Sequence, residues 1–243
     1  MQQPVENAQL FYEYYRQWID VYKKGAIREA TLDKYLMTQK WVEKLAPELK
    51  VYELTRTAYQ KLLNDYAKNH EKQTTLDFHH QLKGAVLDAV DEGMIERDPT
   101  RKAIIKGKSP GVKKIKYLNQ FELHTLIANL DIREEPNWDW FILLVAKTGM
   151  RFSEALAITP GDFDFDKKTV SITKSYQRLK GRDVITTPKT EKSNRVIDLP
   201  DFLCEEIQEF INSLYGIRAN DRLFMITKSY LHHEMDRGSQ APG

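Results

Sequence analysis

In the opening stretch Phe11, Tyr14, Tyr15, Trp18 and Tyr22 recur three and four positions apart, which gathers an aromatic stripe on one helical face and marks it as core. A second helix is predicted to start near Thr31, carrying Leu32, Tyr35, Leu36, Trp41, Val42 and Leu45 until Pro47 stops it. A third runs from about Thr55 to His70, and a fourth from about Thr74 to Gly93 with Leu82, Val86, Leu87 and Val90 inward. Four helices of this length make a small bundle, spanning residues 1–98.

The periodicity then stops. In RDPTRKAIIKGKSPGVKKIKYL, Pro99, Gly107, Pro110 and Gly111 break any repeat, and Arg101, Lys102, Lys106, Lys108, Lys113, Lys114 and Lys116 have no acidic residue among them. Residues 99–117 therefore read as an extended basic linker suited to lie along phosphates, with a second domain over 118–243.

That second part opens on a helix from about Asn119 to Leu130, where Asn119 and Glu122 have capping-box spacing. WDWFILLVAKTG is apolar on all sides, so it belongs in the middle of its domain, with Gly149 placed to end the helix in a left-handed conformation. A helix from Arg151 to Ile158 follows, stopped by Pro160 and Gly161. Three strand-like runs, TVSITKSY, DVITTP and SNRVIDLP, suggest an antiparallel meander. A last helix spans about Asp201 to Tyr215. The fold class expected is mainly α with a small antiparallel β meander, an α+β arrangement.

The overall balance of 41% hydrophobic and 30% charged residues is that of a chain able to bury a core, and the net charge of +2 is too small to announce a nucleic-acid partner by itself. The single cysteine, Cys204, excludes an internal disulfide and reads as a small buried apolar residue in a reducing compartment. No stretch is long and apolar enough for a membrane span, and the first residues lack the pattern of a signal peptide, so the expected location is the cytoplasm.

The chemistry concentrates in TGMRFSEALAIT, residues 148–159. Arg151 at a helix start combines a planar donor fork with the positive helix end, both favourable to a phosphate oxygen, and Glu154 one turn on can pair with it and fix its aim. Together with the buried helix before it and the strands after it, this string resembles the first arginine box of the tyrosine recombinases, the phage integrase family. Residues 1–98 resemble that family's helical core-binding domain, and 118–243 the first part of its catalytic domain. PKTEKSNRVIDLP is similar to the family's turn between its second and third strands, which assigns the catalytic lysine to Lys189, with Lys192 as fallback.

The resemblance implies an enzyme whose tyrosine hydroxyl attacks a DNA phosphodiester, forming a 3′-phosphotyrosyl link and releasing a 5′-hydroxyl, with no metal or nucleotide cofactor. The covalent link stores the phosphodiester for rejoining. Arg151 would neutralise charge on the nonbridging oxygens, Lys189 would protonate the departing hydroxyl, and Glu154 would support them. Implied partners are double-stranded DNA and other integrase protomers, as a tetramer on DNA in a complete protein.

The sequence departs from the family after its last helix, where a His-x-x-Arg box, a second histidine or tryptophan and the nucleophilic tyrosine should follow. In HHEMDR, His233 stands four residues from Arg237 and His232 has Met235 in the arginine position. His232 and His233 therefore read as helix-surface residues and not as a metal site. Tyr215 and Tyr230 come too early to substitute as nucleophile, because attack requires near-ideal placement. The chain is expected to bind DNA without cutting it unaided, either as part of a mobile-element integrase or as a catalytically silent regulator that occupies recombination sites. A pure protein-interaction module is the third reading.

Besides the linker, Lys174, Arg178, Lys180, Arg182, Lys189, Lys192 and Arg195 stand against only Asp183 and Glu191 in the strand region, which predicts a positive face. Phosphate contacts from such residues position a protein without reading sequence. His79, His80 and Lys83 on the fourth helix are minor candidates for base contact, and His79 reads more readily as a packed or edge histidine.

Overall fold

The computed structural model describes residues 9–109, 117–132, 138–188 and 190–225, and divides the chain into two compact units, Met1–Lys114 and Ile115–Gly243.

The first unit is built from α1 (Phe11–Tyr22), α2 (Glu29–Leu45), α3 (Arg56–Ala67) and α4 (Lys72–Asp91). The aromatic stripe of α1 forms its centre: Phe11, Tyr14, Tyr15 and Trp18 are buried, and the Tyr14 and Tyr15 hydroxyls donate to the Ala85 and Gln81 carbonyls of α4, both at 3.2 Å. Tyr22, read as part of that stripe, is 52% exposed, because it lies at the last turn, where the helix runs past its neighbours. Thr55 caps α3 by accepting the Ala58 N–H at 3.2 Å, which satisfies a donor the helix cannot.

Residues 103–108, read from sequence as part of an extended basic linker, are docked on this unit. Ala103 and Ile105 pack against the core, while the side-chain amide of Gln60 both accepts from the Ile104 N–H and donates to its carbonyl, each at 2.8 Å. Gly107 passes so close to the start of α4 that a Cβ there would stand 2.3 Å from the Lys72 nitrogen. The apolar alternation at 103 and 105 and the missing side chain at 107 explain the docking.

In the second unit α5 (Gln120–Ala128) begins with the predicted reciprocal cap, Glu122 N–H to Asn119 at 2.9 Å and Asn119 N–H to Glu122 at 2.8 Å. The central α6 (Trp138–Thr148) ends at Gly149, whose φ of 65° is the left-handed conformation. Next come α7 (Phe152–Ala155), β1 (Phe163–Asp164), β2 (Thr169–Ile172), β3 (Ser175–Leu179), β4 (Arg182–Thr186), β5 (Arg195–Asp198) and α8 (Asp201–Ser213). Aromatic packing against α6 joins them: Phe141 meets Phe152 and Phe224 edge-on at 5.4 Å, and Trp140 stacks on Phe210 at 4.4 Å.

The strands do not form one meander. TVSITKSY breaks after Ile172, and β2 pairs with β1 and β5 in a three-stranded antiparallel sheet, while β3 and β4 form a separate hairpin inserted between β2 and β5. Lys180 and Gly181, with φ of 50° and 80°, close that hairpin in a two-residue turn with both residues left-handed. Among the described residues no helix is long and apolar enough to cross a membrane.

Candidate functional site

Arg151 occupies the N-cap of α7 in an extended conformation. The helix has only 4 residues, so its dipole adds little, and the sequence expectation of a helix running to Ile158 with a strong positive end is corrected. The charge is in the side chain, which is 68% exposed, while Glu154 beneath it is 4% exposed.

The Glu154 carboxylate gathers two arginines. It accepts from the Arg151 backbone N–H at 2.9 Å and from Arg151 Nη1 at 2.8 Å. Arg195, on β5, grips it from the other side, Nη2 to Oε2 at 2.7 Å and Nη1 to Oε1 at 3.1 Å. Burial pushes this carboxyl's pKa up, but the hydrogen bonds from Arg195 and from the Arg151 backbone and guanidinium outweigh it and hold it at about 2. The same bond raises the pKa of Arg195. Around physiological pH the cluster is one anion between two cations.

The role of Arg195 was not legible as more than one basic residue among several. Its signal was an arginine on the same short strand as the inward-facing Ile197, but the partner lies 41 positions away and no local spacing points to it. Two other basic residues of the predicted positive face are also engaged in ion pairs. Lys174 bonds Asp162 at 2.8 Å and Thr159 Oγ1 at 3.0 Å, and Arg178 stands 3.6 Å from Asp183. Asp183 also receives Arg222 at 2.8 Å and the Tyr176 hydroxyl at 2.7 Å, and the Arg222 guanidinium lies 4.1 Å over the Tyr176 ring. That cluster fastens the β3–β4 hairpin, since Arg222 donates in addition to the Leu156 carbonyl just after α7.

Lys180, Arg182 and Lys192 are exposed, the first two at the hairpin tip and Lys192 in the 3-10 turn Glu191–Ser193 that precedes β5. Lys189 lies outside the described residues, as do Lys113, Lys114, Lys116, His232 and His233. In the first unit Arg101, Lys102, Lys106 and Lys108 are exposed on the docked segment, with Lys102 in a left-handed conformation at φ 57°. His79 is buried, its Nδ1 2.9 Å from the Tyr59 hydroxyl, which is the packed histidine that the sequence favours over a base contact at this position. His80 and Lys83 are exposed on α4. Cys204 is buried, and its thiol pKa is raised by that burial, as expected of an inert thiol. Among the described residues no group of His, Cys, Asp and Glu is arranged to hold a metal ion.

The model of the phage integrase family matches residues 116–238. The chain is 29% identical over 229 residues to the prophage ps2 probable integrase of Lactococcus lactis subsp. lactis (strain IL1403), an alignment that covers 87% of this chain and 57% of that protein. It is 27% identical over 156 residues to the transposase from transposon Tn916 of Enterococcus faecalis, covering 62% of this chain and 36% of the transposase. The chain thus spans little more than half the length of the prophage relative. Among solved structures it is similar to the Tn1549 transposon integrase in complex with a circular intermediate DNA, with TM-score 0.75, 15% identity and coverage of 96% of this chain and 81% of that one. It is also similar to lambda integrase in a dimer bound to a COC′ core site, with TM-score 0.67, 14% identity and coverage of 100% and 69%. At these identities the structural likeness shows the fold, helical with small antiparallel sheets.

Proposed function

This chain belongs to the phage integrase family, and from that premise we propose that it binds double-stranded DNA and supplies the first phosphate-binding arginine of a strand-transfer site. The observation that carries this reading is Arg151: a mostly exposed guanidinium whose backbone and one terminal nitrogen are both fixed by a buried carboxylate. A fork held in this way meets a phosphate oxygen without having to be ordered first.

In the whole protein the proposed reaction is attack of a tyrosine hydroxyl on a DNA phosphodiester, giving a 3′-phosphotyrosyl link and a free 5′-hydroxyl. Arg151 binds a nonbridging oxygen where charge grows in the transition state. Glu154 aims it. Lys189 donates the proton to the departing hydroxyl, an assignment that rests on the resemblance of PKTEKSNRVIDLP alone. Exposed Arg101, Lys102, Lys106, Lys108, Arg182 and Lys192 hold the duplex backbone, and further protomers assemble on the same DNA. The mobile-element relatives support this reading, being named as integrase and transposase.

Duplex binding measured by fluorescence anisotropy tests it. Affinity should fall steeply between about 50 and 200 mM salt, as counterions displaced by each lysine and arginine return to the phosphates. Arg151→Ala should reduce both the affinity and the salt slope. A flat salt response, or an Arg151→Ala variant that binds as the parent does, would remove the reading.

A further inference from the structure

Glu154 and its two arginines carry three formal charges that sum to +1, and the two arginines are used differently. Arg195 lays both terminal nitrogens on both carboxylate oxygens and is 31% exposed in its side chain; Arg151 gives a single guanidinium contact and is 68% exposed. Asp162, the other acid lining the small cleft beside Glu154, is already matched by Lys174 at 2.8 Å. Without Arg195, Arg151 and Glu154 would be a neutral pair, and an approaching phosphate would meet a guanidinium whose charge was already spent. With it, the carboxylate is satisfied from behind and still steers Arg151 through the backbone N–H and one Nη1 bond.

We propose that Arg195 is a positioning residue: by clamping and neutralising Glu154 it leaves Arg151 with uncompensated charge for a DNA phosphate, without itself touching that phosphate. The inference rests on the phosphate role proposed for Arg151. Its location also matters. Arg195 opens β5 immediately after the 3-10 turn at Glu191–Ser193, and its Nη1 lies 3.4 Å from the Ser193 carbonyl. One buried carboxylate therefore registers the α7 loop against the end of the Glu191–Ser193 turn.

The test is duplex binding against salt with the 243-residue chain, comparing Arg151→Ala, Arg195→Gln, the two combined, and Arg195→Gln combined with Glu154→Gln. Arg195→Gln should lower the slope of log affinity against log salt by about 0.9, the value of one phosphate contact, and so should Arg151→Ala. The combined variant should fall no further, because both changes remove the same contact. Adding Glu154→Gln to Arg195→Gln should restore the slope, since no carboxylate then competes for Arg151; a merely structural role for Arg195 would not respond in this way. Circular dichroism identifies variants that do not fold. If Arg195→Gln is one of them, Arg195→Lys keeps the charge without the two-point grip. That variant should retain the slope while the Arg151 Nε–Hε signal in NMR becomes more mobile. An unchanged Arg151 signal in Arg195→Lys, an unchanged slope in Arg195→Gln, or losses that add in the combined variant would overturn the inference and leave Arg151 in its role. An unchanged slope in Arg151→Ala would overturn the phosphate reading, and the inference with it.

Discussion

The two units differ in whether they bury a charge. The helical unit hides neutral polar groups, Thr38, Gln39, Thr75, His79 and Thr100, matched by an amide, hydroxyl, carbonyl or partly exposed carboxylate nearby. The second unit buries one neutral group, Thr159, and beside it a full negative charge, Glu154, which it surrounds with cations. A neutral buried group fixes a shape and asks nothing more of its surroundings. A buried carboxylate is tolerated only while its partners stay, so the loop that carries Arg151 is tied to a strand far along the chain.

The comparison can be broken by removing one element from each side. Phe78 is stacked on Tyr66 at 3.9 Å in the helical unit and is essentially unexposed, so Phe78→Ala should cost about 3–5 kcal/mol in denaturant unfolding. Next in size is the acid sensitivity of Glu154. Its carboxyl titrates at about 2 in the fold against an ordinary 4.5, so the unfolded chain takes up the proton first. The stability it confers, on the order of 3 kcal/mol, is complete above the ordinary value and is lost as pH falls from there towards the folded one. Glu154→Gln should flatten that acid arm, and a pH series of urea melts reads it directly.

Smaller effects sharpen the contrast. Gln60→Ala removes two hydrogen bonds to Ile104 and should cost about 1–2 kcal/mol, with faster amide exchange at 104 and little change at Tyr15. Like Glu154, His79 has a lowered pKa, but there the fold favours the neutral form over the charged one. Burial, and then the neighbouring His80 and Lys83 side chains, lower its pKa, against a smaller upward pull from Asp98. It is held neutral in the fold, so the helical unit should lose stability as pH drops below about 6.5, and His79→Gln should lessen that loss. Thr55→Ala should cost about 1 kcal/mol through the lost α3 cap.

The helices were legible because their information is local: the spacing of Phe11, Tyr14, Tyr15 and Trp18, the cap at Thr55 and the reciprocal pair Asn119 and Glu122 each lie within a few turns. Arg151 with Glu154 was legible for the same reason. Strand pairing was not. Each run alternates much like its neighbours, and nothing in TVSITKSY says that Ile172 will pair across an inserted hairpin with Arg195. The basic residues were countable, but which ones answer an acid depends on folded distances. Lys174 and Arg195 were therefore read as part of an open positive face when they are structural ion pairs, and the docking of residues 103–108 escaped notice because composition there is that of a tether.

The segment that follows α7 is tied down from far downstream. The Ile158 carbonyl accepts from the Leu223 N–H at 3.0 Å, the Gly161 N–H donates to the Ala219 carbonyl at 2.8 Å, and Phe224 fills the space against Phe141. During synthesis at about 5–20 residues per second, the arginine loop emerges several seconds before the residues that shore it up. For that interval the Ile158 carbonyl and the Gly161 N–H are without the backbone partners they hold in the fold, and the turn after α7 stays open to water.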